Sequence, residues 1–166
     1  MVIKEKRPSM RRQKGFSLIE LLIVVAIILI IAAIAIPNLL RARIAANEAS
    51  AVSSIRTVNT SQISYNSTYY SYACSLTQLG GSGTTPSSAA ALLLDVSLGS
   101  GTKSGYNFSI ANCTTPSATY SIKADPLNAG VTGARYFCSD MTGVIRWSAV
   151  TTSVTCAGSA TEVPIS

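Results

Sequence analysis

The sequence predicts an α+β fold in which a long N-terminal helix packs on a C-terminal antiparallel β-sheet. Three observations lead there. An unbroken apolar run extends from Leu21 to Ile36, and such a run is most stable as a helix that satisfies its own backbone in an apolar solvent. Beyond it, Val52, Ile55, Val58, Tyr65 and Tyr69 recur at helical spacing through polar sequence, the pattern of a helix with one buried face. Finally, short alternating segments centred on Tyr106 to Ile110, Tyr120 to Ala124, Tyr136 to Phe137 and Ile145 to Ala149 are separated by turn residues, which reads as an antiparallel meander.

Taken in order, the elements begin with a basic leader. The whole chain of 166 residues carries a formal charge of +6, yet six bases stand before Phe16 against the single acid Glu5. From Phe16 onward seven bases face six acids. The positive charge therefore describes residues 1–15, and a basic cluster just before an apolar helix places the N-terminus on the cytoplasmic side with the remainder exported. A nearly neutral exported part gives no indication of nucleic acid as a partner.

Phe16 to Pro37 would span about 33 Å as a helix, enough for a hydrocarbon core of about 30 Å. A membrane anchor, an ordinary secretory signal cut after Ala33-Ile34-Ala35, and a processed leader followed by a retained helix all fit that length. Glu20 argues against the secretory signal, because a carboxylate in the bilayer core costs roughly 2.5 to 3.5 kcal/mol and such residues usually have a partner or a function. Cleavage after Ala35 would also discard a helical pattern that continues past Pro37. That proline removes a hydrogen bond to the carbonyl of Ala33 and is expected to bend or loosen the helix.

Gly15-Phe16-Ser17-Leu18-Ile19-Glu20, followed by the apolar run and Pro37, resembles the N-terminus of the type IV pilins and their pseudopilin relatives. The likeness covers about residues 14–66. It implies the pilin fold, with a leader at 1–15 that is removed, a helix at 16–66 whose first part, 16–37, is the transmembrane segment and later the filament core, and a β-rich head at 67–166. It also implies cleavage by a prepilin peptidase after Gly15 and N-methylation of Phe16. Removal of the leader creates a charged amine that methylation leaves in place. The best-motivated partner for Glu20 is that amine on a neighbouring copy, a pairing that would fix the register of a helical filament. Glu20 and Pro37 are the residues this assigns to assembly, and Pro37 is where pilin helices are thought to loosen on leaving the bilayer.

The implied function is that of a structural subunit. It would be held by lipid as a single-pass protein of the bacterial inner membrane, then polymerised by the inner-membrane assembly machinery into a homo-oligomeric surface filament. A pseudopilin of type II secretion or a minor pilin is the alternative, and a secreted protein with an ordinary signal is a remote one. The major pseudopilins carry an acidic, calcium-binding loop with an Asp-Pro-Trp-Gly type stretch, whereas here Asp125-Pro126 is followed by Leu127. Adhesion, twitching, DNA uptake and conduction all use similar stems.

In the head, Ser87 is expected to cap a short helix running through Leu98 to Gly99. Cys74, Cys113, Cys138 and Cys156 all fall in the exported half, without a CxxC spacing, so disulfides are expected rather than a metal or redox site. Three pairings are open. Cys138 with Cys156 and Cys74 with Cys113 are preferred, the first because pilins often staple their C-terminal region. The chain has no histidine, which removes Ser-His-Asp triads and the usual general base, and the scattered acids suggest no catalysis, metal or cofactor. Four Asn-x-Ser/Thr triplets, beginning at Asn59, Asn66, Asn107 and Asn112, match the glycosylation pattern but are common in polar sequence.

The resemblance makes one direct prediction: mass analysis of the mature chain finds N-methyl-Phe16 at its N-terminus. A start at Ile36 or Asn38 would instead support the secretory reading.

Overall fold

A computed structural model describes residues 15–114, 116–149, 156 and 163–165; the basic leader up to Lys14 lies outside them. The chain divides into two compact units, one ending at Asn38 and the other running from Leu39 to Ser166. In the first, helix α1 (Leu18–Tyr69) begins, with its large apolar side chains exposed. The helix starts at Leu18 rather than at Phe16, and it continues without a break through Pro37.

The second unit is built on the remainder of α1, which ends at Tyr69, a little beyond the expected end near Asn66. Ala51, Ile55, Val58 and Tyr65 form the buried stripe, with Val52 and Tyr69 packed at its margin. Against this stripe lies a six-stranded sheet in simple meander order. Its strands are β1 (Thr102–Lys103), β2 (Tyr106–Ala111), β3 (Ser121–Pro126), β4 (Tyr136–Asp140), β5 (Arg146–Ser148) and β6 (Val163–Pro164), all paired antiparallel.

Register follows the side-chain alternation. Phe108 pairs with Ala124, Ala124 with Phe137, and Phe137 with Trp147, placing one row of apolar residues on the face toward α1. β1 and β2 are joined by the two-residue turn Ser104-Gly105, with φ of 49° and 76° respectively. Both central residues thus take the positive φ that a tight hairpin matching strand twist requires.

The helix expected from Ser87 to Leu98 does not form. Two short helices stand in its place, α2 (Leu76–Leu79), capped by Ser75 and Gln78, and α3 (Val96–Gly99), capped by Asp95. The amides of Ala91, Leu92 and Leu93 donate to the carbonyls of Gln78, Gly80 and Leu79. These bonds satisfy carbonyls left over at the end of α2, and they take the amides that a helix through 91–93 would need.

Several polar residues of α1 are buried and hold the sheet in place. Asn59 donates to the Ser139 hydroxyl at 2.8 Å and accepts from the Tyr120 hydroxyl at 3.1 Å. Burial, then the neighbouring Tyr72 and Asp140, push the Tyr120 phenol up to about 12. Gln62 exchanges two hydrogen bonds with the backbone of Ala73, at 2.8 and 2.9 Å, as another peptide would. The Tyr65 hydroxyl donates to the carbonyl of Ser88.

At the opposite end of this buried stretch, Glu48 is only 5% exposed. It accepts from the amides of Ala134 and Arg135 at 2.9 and 3.2 Å, and from the Arg135 guanidinium at 2.7 and 2.6 Å. The guanidinium also lies 5.7 Å from the Phe137 ring centroid and 5.3 Å from that of Trp147, within cation–π range. Next to it, Asn47 donates to the carbonyl of Thr132 at 2.8 Å. Together these bonds clamp the β3–β4 loop to the helix.

Two outcomes follow for full-length protein in detergent. Glu48→Ala strands two amides and a cation, and is expected to cost about 2–4 kcal/mol, seen as a lowered midpoint of thermal or chemical unfolding. Gly133→Ala brings a methyl group into the Tyr106 ring. Overpacking of that kind is expected to cost about 1–3 kcal/mol by the same measurement, and an unchanged midpoint would show that the loop yields.

Candidate processing and assembly site

The residues around the start of α1 are open on every side. Among the described residues, nothing lies within 4 Å of where a side chain on Gly15 would project. An uncrowded glycine lets another protein reach the peptide backbone closely. Phe16 is 81% exposed, with Leu18 and Ile19 beside it nearly as open.

Glu20 sits in the first turn of α1. One of its carboxylate oxygens accepts a hydrogen bond from the backbone amide of Ser17 at 3.0 Å. This pairs the acid with an otherwise unsatisfied amide at the helix start, where the helix dipole also favours negative charge. The amide it accepts from belongs to the residue after Phe16, whose own nitrogen is a peptide nitrogen in the uncut chain and would become a cation on cleavage. Pro37 lies nearly five turns further on, inside the same exposed apolar stretch and within the continuous helix.

An 18-residue window of α1 is apolar enough to cross a membrane, and none of it is buried. In a water-soluble fold so long an exposed run would be an aggregation hazard, whereas lipid or packed helices would cover it.

The four cysteines belong to the second unit. Cys74 is bonded to Cys113, with Cα atoms 5.3 Å apart, and Cys138 to Cys156, at 5.7 Å. The first ties the segment after α1 to the end of β2. The second ties β4 to residue 156. Each closes a loop whose restriction in the unfolded chain is worth about 3–4 kcal/mol.

The sequence pattern gave no structural role to Glu48, Asn59 or Gln62, though all three are buried. A signal was available for Glu48 and Gln62. They stand fourteen residues apart and at the ends of the series Glu48, Ala51, Ile55, Val58, Gln62, so they fall on the buried stripe by spacing alone. The burial of Asn59 also removes its triplet as a glycan acceptor, since its amide is enclosed between Tyr120 and Ser139.

Residues 10–36 match the family model of the prokaryotic N-terminal methylation motif. The chain is 69% identical over 39 residues to the type IV wide pilus major component PilA4 of Thermus thermophilus, a stretch covering 24% of this chain and 30% of that protein. It is 46% identical over 54 residues to the type IV major pilin protein PilA of Myxococcus xanthus, covering 32% of this chain and 24% of that protein. The matched stretch thus spans less than a third of either relative's length. In this methylation motif the chain is similar to the type IV pilins, and the long helix and antiparallel sheet that follow it agree with that likeness.

Proposed function

We propose that this protein is a structural, non-catalytic subunit of a type IV pilus-like filament. A prepilin peptidase removes residues 1–15 by cutting after Gly15, and Phe16 becomes the N-methylated first residue. Until assembly, the apolar part of α1 holds the chain in the bacterial inner membrane as a single-pass protein. The inner-membrane assembly machinery then transfers it into a surface filament, where helices of other copies replace lipid. The domain scheme of leader, membrane-to-filament helix and disulfide-braced head follows from this reading.

The observation that carries the proposal is a fully exposed apolar helix containing one acid, Glu20, four residues from the nitrogen that processing would turn into a cation. Within one copy the carboxylate caps its own helix through Ser17. In a filament core without water that single neutral amide does not compensate the charge, and an ammonium group from a neighbouring copy does. The pair then exists only when two copies stand in the correct axial register.

Glu20→Ala is accordingly expected to abolish filaments while the processed chain still accumulates in the membrane, measured by sheared-filament yield beside a membrane-fraction immunoblot. Wild-type yield in that variant removes Glu20 from assembly. Imaging of native filaments and identification of their most abundant subunit separates a major pilin from a minor one or from a pseudopilin.

A further inference from the structure

From the geometry of the second unit, we propose that its end beside the first turns of its helix, after Leu39, is a membrane-docking collar, formed by Arg41, Arg43, Leu127 and Val131 and seated on phospholipid headgroups before assembly. The proposal rests on the reading that α1 spans a bilayer.

The direction of the sheet along α1 fixes where the collar lies. Tyr120, just before β3, and Ser139, in β4, both meet the helix at Asn59. Thr132, Ala134 and Arg135, just before β4, meet it at Asn47 and Glu48. β3 therefore runs toward the start of the helix and β4 runs back. The β3–β4 loop is the turn between them, at the end of the sheet level with Asn47 and Glu48, toward Leu39 where the second unit begins. The β1–β2 turn meets the same level, where the Ser50 hydroxyl bonds that of Ser104 at 2.9 Å.

Distances along the helix place this loop at a membrane surface. The last apolar residue before the arginines is Leu40, and Asn47 lies seven residues later, about 10 Å along the axis. A headgroup layer is about 5–8 Å thick on each side of the hydrocarbon core. With Leu40 at the edge of the hydrocarbon, Arg41 and Arg43 fall within that layer, and the clamped loop lies against its outer side.

The chemistry of the collar suits the same location. Arg41 and Arg43 are exposed, and being two residues apart they leave the helix on roughly opposite sides, so they can engage phosphates around the stem. No acid occurs between Leu39 and Asn47, and Glu48 is already taken by Arg135. The loop from Leu127 to Ala134 carries no charge, so its desolvation strands none. Leu127 and Val131 are 52% and 64% exposed, although the loop is rigidly held by Asn47, Glu48 and its own Asn128–Thr132 bonds. Exposed apolar side chains on a fixed, uncharged loop beside two cations are the composition of a surface that enters a lipid interface.

The test uses the full chain reconstituted in vesicles, with tryptophan reporters read against the wild-type signal of Trp147. Val131→Trp reports the collar, Ile28→Trp the span and Tyr70→Trp the far end of α1. Lipids brominated near the headgroup or deep in the acyl chain act as quenchers. Val131→Trp is expected to shift to the blue and to be quenched by shallow bromine, Ile28→Trp by deep bromine, and Tyr70→Trp by neither. The shift at Val131→Trp is expected to grow when phosphatidylglycerol is added to phosphatidylcholine, and Arg41→Gln with Arg43→Gln is expected to remove that dependence. Leu127→Trp repeats the measurement from the other apolar side chain.

An unquenched Val131→Trp and Leu127→Trp beside a quenched Ile28→Trp overturns the collar and leaves the anchor standing. An unquenched Ile28→Trp overturns both. A blue shift that appears only as protein density rises, without lipid quenching, assigns the loop to a neighbouring copy and overturns the lipid assignment.

Discussion

One helix has to satisfy two environments, and the rest of the structure depends on how it changes from one to the other. Up to Leu40 α1 is exposed and, apart from Glu20 and Asn38, apolar on all sides, a surface that has no place in water. From Glu48 onward it is one-sided, with a buried stripe from Ala51 to Tyr65 against the sheet. The change takes two turns, and Arg41 and Arg43 occupy the first of them. Hydrophobic burial stabilises the second part as in any α+β domain. For the first part it supplies nothing until lipid or other helices cover it, so the folded head and the covered stem are energetically separate problems.

The head answers its problem with polar contacts as much as with packing. A two-layer core between one helix and a small sheet leaves the helix free to slide or rotate over apolar residues of similar size. Glu48, Asn59 and Gln62 remove that freedom, each meeting a unique partner: the amides before β4, the Ser139 and Tyr120 hydroxyls, and the backbone of Ala73. A one-residue shift would leave each of them buried and unpaired, at a cost of about 1–3 kcal/mol apiece. The disulfides act elsewhere, one tying the segment after α1 to the end of β2 and the other tying β4 to residue 156.

The sequence made the architecture legible because each element had its own periodicity. The apolar run, the stripe of Ile55, Val58 and Tyr65, and the alternation of Tyr106, Phe108 and Ile110 differ in period, so helix and strand separated without ambiguity. The segment from 76 to 99 did not yield, for a physical reason. Its helix-like composition from Ser87 to Leu98 was overridden by the open carbonyl end of α2, which captured the amides of Ala91 to Leu93. Long-range competition of this kind leaves no local trace. The two-residue strands β1 and β6 escaped because so short a segment has no period to read. At the processing end, Gly15, Phe16 and Glu20 stood out through their order and through the oddity of one acid in an apolar run. The Glu48 clamp did not, since an acid in a polar stretch of helix reads as a solvated side chain until a partner eighty-seven residues away is placed beside it.

On the proposed reading, the two charged devices of α1 serve opposite phases. Glu20 is poorly matched in a lone subunit, where its partner is a single amide, and well matched only beside another copy. Arg41 and Arg43 are well matched in a lone subunit, where headgroup phosphates lie at their level, and they lose those phosphates when the stem leaves the bilayer. Assembly then exchanges one set of ionic contacts for another while the apolar surface passes from lipid to helix, an exchange that carries little hydrophobic driving force because lipid chains and leucine side chains are equally apolar. With the apolar term nearly cancelled, the charge pairs decide the direction. A filament built this way needs its subunits extracted against the headgroup contacts, which is mechanical work suited to a separate machine, and it is held afterwards by pairs that exist only in register.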